Sequence, residues 1–302
     1  MATDRPLLGI LLMLAFCVLA PFGDSLAKLL GTSLSVGQLV TIRFAVQAAV
    51  LVPMVLLTGG TLLLGRRVLL LTAVRTALHV AGISAMFTAL LYLPLADAVA
   101  IAFVMPFLML LLGWAVLGES VGPHRLGACA VGFVGTLLVL QPNLREAGVV
   151  ALLPLGVAVI FALFMLATRA VAREVGPVTL QAVSGAMASV VLLPLALIFA
   201  GSPGAFAWAP QDLTGWGLIL ALGLTGTAAH LMMTASLRFA PAATLAPMQY
   251  LEIPFATLIG WAIFADLPGP MASAGIALTI GAGLYIIGRE RRTARLATPA
   301  VP

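Results

Sequence analysis

Glu252 stands between two apolar runs in "APMQYLEIPFATLIG", residues 246–260, with Gln249 one helical turn before it and therefore on the same face. A carboxylate and an amide at that spacing could bind a cationic group or carry a proton. The same stretch places Tyr250 between them, and Pro247 and Pro254 free the carbonyls of Ala243 and Tyr250 from ordinary helical bonding. His230 and Glu252 are each about eleven residues from the turn at Pro241, which puts them at a common depth on neighbouring segments. In the first half of the chain, His79 lies near the middle of the third apolar run, and Pro106 frees the carbonyl of Ala102. Met86 and Met105, with Met109, Met232, Met233 and Met248, supply soft apolar surface near these groups. Asp24 and Arg43 flank one turn at similar depth, with Lys28 close by. They form either a structural ion pair or a gate that attracts anionic groups.

What these groups do depends on their surroundings. Of 302 residues, 62% are hydrophobic and 8% charged, against roughly 25% charge in an ordinary soluble domain. The chain belongs in a bilayer. There a carboxylate such as Glu252 costs about 3 kcal/mol or more, so it either lines a hydrated cavity and meets substrate or protons, or bonds His230 or a free carbonyl and pins two helices. Each histidine allows the same two readings.

Windows of about 20 apolar residues predict ten spans, near 7–29, 36–57, 69–91, 95–117, 124–141, 149–170, 177–200, 213–236, 243–264 and 271–289. The N-terminal run is read as the first of them, an uncleaved span rather than a signal peptide. Arg5, Arg66, Arg67, Arg125, Arg169, Arg173, Arg238 and the arginines from Arg289 to Arg295 gather at one side. The other side has Lys28 and Arg145. The positive-inside rule then puts both termini in the cytoplasm, with Arg75 snorkelling to the same face and Trp208 and Trp216 at the outer interface. The net charge of +5 forms no patch with interleaved aromatics, so nucleic acid is not the expected partner.

The second half of the chain repeats the first. "GWAVLGESVGP" at 113–123 matches "GWAIFADLPGP" at 260–270, and the same register carries Pro94 onto Pro241 and Glu119 onto Asp266. Glu119 and Asp266 are read as helix-end residues bonding loop amides. Ala128, Gly132 and Thr136 fall on Gly275, Thr279 and Gly283, small-residue ridges that suit close helix packing or a dimer seam. The halves divide at residues 1–145 and 146–302. Five spans per half is an odd number, so the copies face opposite ways. The expected fold is an all-α membrane protein of ten transmembrane helices in two inverted five-helix repeats, the architecture of alternating-access carriers.

No HExxH, GxSxG or GxxxxGK[ST] motif occurs, and Cys17 and Cys129 lie far apart inside apolar runs. Neither an enzyme, a metal site nor a cofactor is expected. The rival class is a non-transporting scaffold using the small-residue ridges.

The segments "PFGDSLAKLL", "TIRF" and "TALLYLPLADAVAIAFVMPFLMLLLGWAVLGESVGPHRLGACAVGFVGTLLV" resemble the EamA-like branch of the drug/metabolite transporter superfamily. Asp266 departs from the usual Glu, and no Lys or Arg-aromatic pair recurs in the second half. The resemblance implies an inner-membrane exporter of small metabolites, the YddG-like amino-acid exporters being one subgroup. Amino acids are the expected substrates, and S-adenosylmethionine, purines or other metabolites the alternative. The expected assembly is a monomer or homodimer in the lipid bilayer.

Overall fold

The computed structural model describes residues 5–118 and 122–297, all helix, turn or loop. The helices are α1 (Pro6–Leu30), α2 (Val36–Leu57), α3 (Arg66–Leu90), α4 (Leu95–Ala102), α5 (Met105–Leu117), α6 (Pro123–Glu146), α7 (Leu153–Val171), α8 (Pro177–Phe199), α9 (Leu213–Phe239), α10 (Ala242–Gln249), α11 (Glu252–Phe264) and α12 (Pro270–Ala297). A 3-10 turn, Gly148–Leu152, precedes α7. Local chemistry sets these limits. A proline opens α1, α6, α7 and α8, where its missing N–H has no partner to lose. The Ser35 hydroxyl accepts from the Gln38 amide at 3.1 Å and the Asp212 carboxylate from the Gly215 amide at 2.8 Å, capping α2 and α9.

Seven segments among the described residues are long and apolar enough to cross a bilayer: α1, α2, α3, Leu95–Val116, Gly148–Val171, α8 and α9. The other three expected spans hold shorter apolar stretches, Leu126–Leu140, Glu252–Phe264 and Pro270–Tyr285. Large apolar side chains such as Leu197 and Ile198 point outward, as in a protein solvated by lipid. Glu119 lies outside the described residues.

The repeat in the sequence is also a repeat of helix starts. Displaced by 147 residues, Pro6 falls on Leu153, Arg66 on Leu213, Leu95 on Ala242, Met105 on Glu252 and Pro123 on Pro270, each pair opening a helix. Gly118 and Ala265, one offset apart, both adopt left-handed backbone, with φ of 65° and 55°. Where the sequence predicts single spans at 95–117 and 243–264, the chain breaks twice at equivalent points, after Ala102 and after Gln249. Pro106 and Pro254 explain the placement, since neither can supply an N–H to the turn before it. Pro21, by contrast, sits inside α1 without interrupting it.

Packing follows the same correspondence. α1 lies against α9 as α3 lies against α7, and α1 meets α11 as α7 meets α5. α2 and α8 run antiparallel, with Gln47 bonded to Gln181 and a β-carbon on Gly185 set to meet Ala48. α6 and α12 are antiparallel as well: Gly135 faces Gly275 and Thr279, while His124 meets Tyr285 at 2.8 Å. The small-residue ridges are thus used inside one chain.

Candidate functional site

Between α1, α3, α7 and α9 lies a cavity with about 80 Å³ open to the centres of water-sized molecules, room for several waters. The two broken helices line it as well. Each contributes the first residue of its second piece, Met105 from α5 and Glu252 from α11. The break therefore aims equivalent positions of the two halves at one space, and one of them is a carboxyl. Glu252 sits in the first turn of α11, where the unpaired backbone amides favour an anion. Asp24, on α1, lines the same cavity. Neither carboxylate has a hydrogen-bond or ion-pair partner among the described residues.

Arg43, from α2, is the cavity's guanidinium. Its Nη2 lies 2.9 Å from Nδ1 of His230 and 3.4 Å from the Gly226 carbonyl. Guanidinium only donates, so Nδ1 accepts and the His230 proton resides on Nε2. The 3.1 Å approach of the same Nδ1 to the Gly226 carbonyl is then a contact and not a hydrogen bond. Glycine at 226 is what admits Arg43, because a β-carbon there would come within 2.7 Å of Nε. Phe16, Phe87, Phe103 and Phe161, with Met86, Met105 and Met165, complete the wall. Two acids, one guanidinium and one imidazole set among aromatic and thioether surface can hold a molecule that combines charged groups with a flat apolar part.

Of the sequence-derived candidates, Glu252, His230, Met86, Met105, Asp24 and Arg43 line this cavity. The others lie elsewhere. Gln249 is fully buried with its amide against the sulfurs of Met13 and Met165, at 3.7 and 3.2 Å. Tyr250 packs on Gly132 with its hydroxyl beside the Cys129 thiol, and its carbonyl is not free, accepting from the Ile253 amide at 3.4 Å. His79 is sealed behind His230, ring to ring at 4.2 Å, with neither nitrogen bonded.

Asp24 and Arg43 share the cavity without forming an ion pair within 4.0 Å, because Arg43 turns to His230 and the Gly226 carbonyl. Lys28 belongs to neither: it bonds Asp266 at 3.1 Å and the Leu93 carbonyl at 2.9 Å, joining the end of α1 to the loops after α3 and α11. Asp266 therefore meets an ammonium, not loop amides.

Arg75 corrects the expectation of snorkelling. It is completely buried, donating to the hydroxyls of Thr168, Ser184 and Thr234 at 2.7, 2.6 and 3.1 Å, with its guanidinium 4.6 Å from the Phe164 ring centre. Gln181 joins this group to the site, donating to Thr234 and to the His230 carbonyl at 2.9 and 2.7 Å. Gln47 and Gln181, amides inside apolar windows, were the available sequence signal. The hydroxyls were not, since each also suits a helix that bonds its own backbone.

Helices long and apolar enough to span a bilayer, surrounding a cavity that holds two carboxyls and a guanidinium, define a multi-pass membrane protein. The comparison with known proteins agrees: the chain matches the EamA-like transporter family over residues 7–141 and 148–289 and belongs to that family. A riboflavin transporter of Brucella anthropi is 31% identical over 75% of this chain and 79% of its own length. An S-adenosylmethionine uptake transporter of Rickettsia prowazekii is 25% identical over 94% of each chain. A pseudopaline exporter of Pseudomonas aeruginosa is 25% identical over 93% of this chain and 92% of its own. A solved crystal structure 20% identical superposes with a TM-score of 0.71, covering 96% of this chain and 100% of its own, which shows a shared fold.

Proposed function

We propose that the protein carries small organic metabolites bearing a positive charge, alone or beside a carboxylate, across the inner membrane by alternating access. The observation that carries this reading is the pair of unpartnered carboxylates, Asp24 and Glu252, facing Arg43 across one cavity. Charged groups are left open inside a bilayer protein where they serve a ligand path. Two acids and one guanidinium complement a zwitterion with an additional cationic centre, as in S-adenosylmethionine, better than a simple amino acid. The relatives named above are described as handling riboflavin, S-adenosylmethionine and pseudopaline, so amino-acid export gains no support from them.

The mechanism is rocking of two inverted five-helix halves, residues 1–145 and 146–302, around the cavity. Antiparallel packing of α2 on α8 and of α6 on α12 supports inversion, because each pair consists of repeat counterparts. Ten spans follow if each broken helix crosses once, which with the arginine asymmetry puts both termini in the cytoplasm. The breaks before Met105 and Glu252 are natural bending points.

The test is uptake into proteoliposomes of labelled S-adenosylmethionine, riboflavin and an amino-acid panel. Flux above empty vesicles, strongest for the cation-bearing members, is expected. Flux at the empty-vesicle level for all of them would refute the reading.

A further inference from the structure

The geometry points to a second binding site, for a small monoanion, built by Arg75 with Thr168, Ser184 and Thr234. It deepens the carrier reading and rests on it for its purpose, though not for its test.

Arg75 is wholly buried, and no carboxylate lies within ion-pair distance among the described residues. A guanidinium cannot shed its proton in a protein, so the charge persists away from water. Three hydroxyls and a phenyl face are a weak substitute for a counter-ion, and removing a charge from water costs several kcal/mol. Only three of its five N–H donors meet those hydroxyls. A hydroxyl both accepts and donates: Thr168 gives its proton to the Phe164 carbonyl at 2.7 Å, whereas Ser184 and Thr234 can turn theirs toward an anion. Guanidinium with a ring of hydroxyls is the donor set a carboxylate or halide needs.

A second observation ties this cluster to the cavity. From Arg43 the path runs to His230 at 2.9 Å, then by tilted ring contacts to His79 at 4.2 Å and Phe164 at 4.6 Å, and on to Arg75 at 4.6 Å. Along it, Nη1 of Arg43, Nε2 of His230 and both nitrogens of His79 are buried without partners. Buried polar atoms are ordinarily satisfied, and a row of exceptions marks where water or ligand belongs. The path joins two guanidiniums and contains no acid. An anionic group held by Arg43 in one state reaches Arg75 in the other, once the rings of His79 and Phe164 swing aside. Arg75 lies on α3 with partners on α7, α8 and α9, so the site is assembled from both halves of the chain.

The experiment measures thermal unfolding of the full chain in detergent against sodium acetate and, separately, sodium chloride at constant ionic strength. Saturable stabilisation is expected. Acetate alone marks the site as one for an organic carboxylate, whereas equal effects mark a general monoanion site. Arg75→Gln should weaken the apparent affinity by about tenfold or more, and Arg43→Gln should leave a saturable response. If Arg75→Gln does not fold, Ser184→Ala keeps the charge and two of its three hydroxyl partners and should still weaken it. No anion response in the unmodified protein overturns the inference. So does a response abolished by Arg43→Gln but unaltered by the Arg75 or hydroxyl changes. A protein that binds acetate through Arg75 yet transports nothing would sink the carrier reading and leave this one standing.

Discussion

Nδ1 of His230 lies 2.9 Å from the Arg43 guanidinium, held there because residue 226 has no side chain. The contact fixes both the direction of Arg43 and the tautomer of His230, leaving an Nε2–H without a protein acceptor. One glycine thus controls the guanidinium that lines the cavity among the described residues.

Gly226→Ala should therefore act on function more than on stability. The added β-carbon meets the flexible end of Arg43 at 2.7 Å, which can move aside, but only by leaving His230. Transport of an anion-bearing substrate should fall about tenfold or more, the cost of one charge-assisted hydrogen bond. The melting temperature in detergent should move by only a few degrees. A full loss of folding would contradict this.

Glu252→Gln preserves shape and removes charge. Uptake of a cation-bearing substrate should drop about tenfold or more, and uptake of uncharged riboflavin, if carried, should change much less. Equal losses for both substrates would mean that Glu252 positions helices without contacting the cation.

Lys28 and Asp266 tie the end of α1 to the loop after α11. Their side chains are 19% and 35% exposed, so the pair is partly screened and worth about 1 kcal/mol or less. That corresponds to a few-fold change in population. Lys28→Ala should raise the rate of thiol labelling at a single cysteine placed at Ala102, on the cavity wall, from the pair's side of the membrane only. The exchange of both residues, Lys28→Asp with Asp266→Lys, should restore the original rate.

Gly275→Ala should destabilise the protein by about 1–3 kcal/mol, because the new carbon would strike the Gly135 carbonyl of α6. Gly127→Ala, on the same seam but in open space, is the control and should be close to neutral. Thermal unfolding of both variants measures the difference.

Seven of the ten expected spans and the duplication were legible because each has a periodic or cumulative signal: apolar length for one, a constant register for the other. Glu252, His230, Asp24 and Arg43 were legible as well, since polarity inside an apolar window stands out. The breaks after Ala102 and Gln249 were not, because Pro106 and Pro254 are equally compatible with a kinked continuous helix. Pro21, which α1 tolerates, shows the ambiguity directly. Depth told which residues share a level but not which way each side chain turns. Hence Gln249, one turn from Glu252, meets the sulfurs of Met13 and Met165 and leaves the cavity to its neighbour. Lys28 was placed near Asp24 by counting along α1, whereas its partner comes from 238 residues away.

The two broken helices are matched in shape and unmatched in chemistry, with a thioether at one inner tip and a carboxylate at the other. Exchanging the halves would not return the same molecule. If the halves rock as proposed, the two postures differ in free energy, and an empty protein favours one side of the membrane before any cargo arrives.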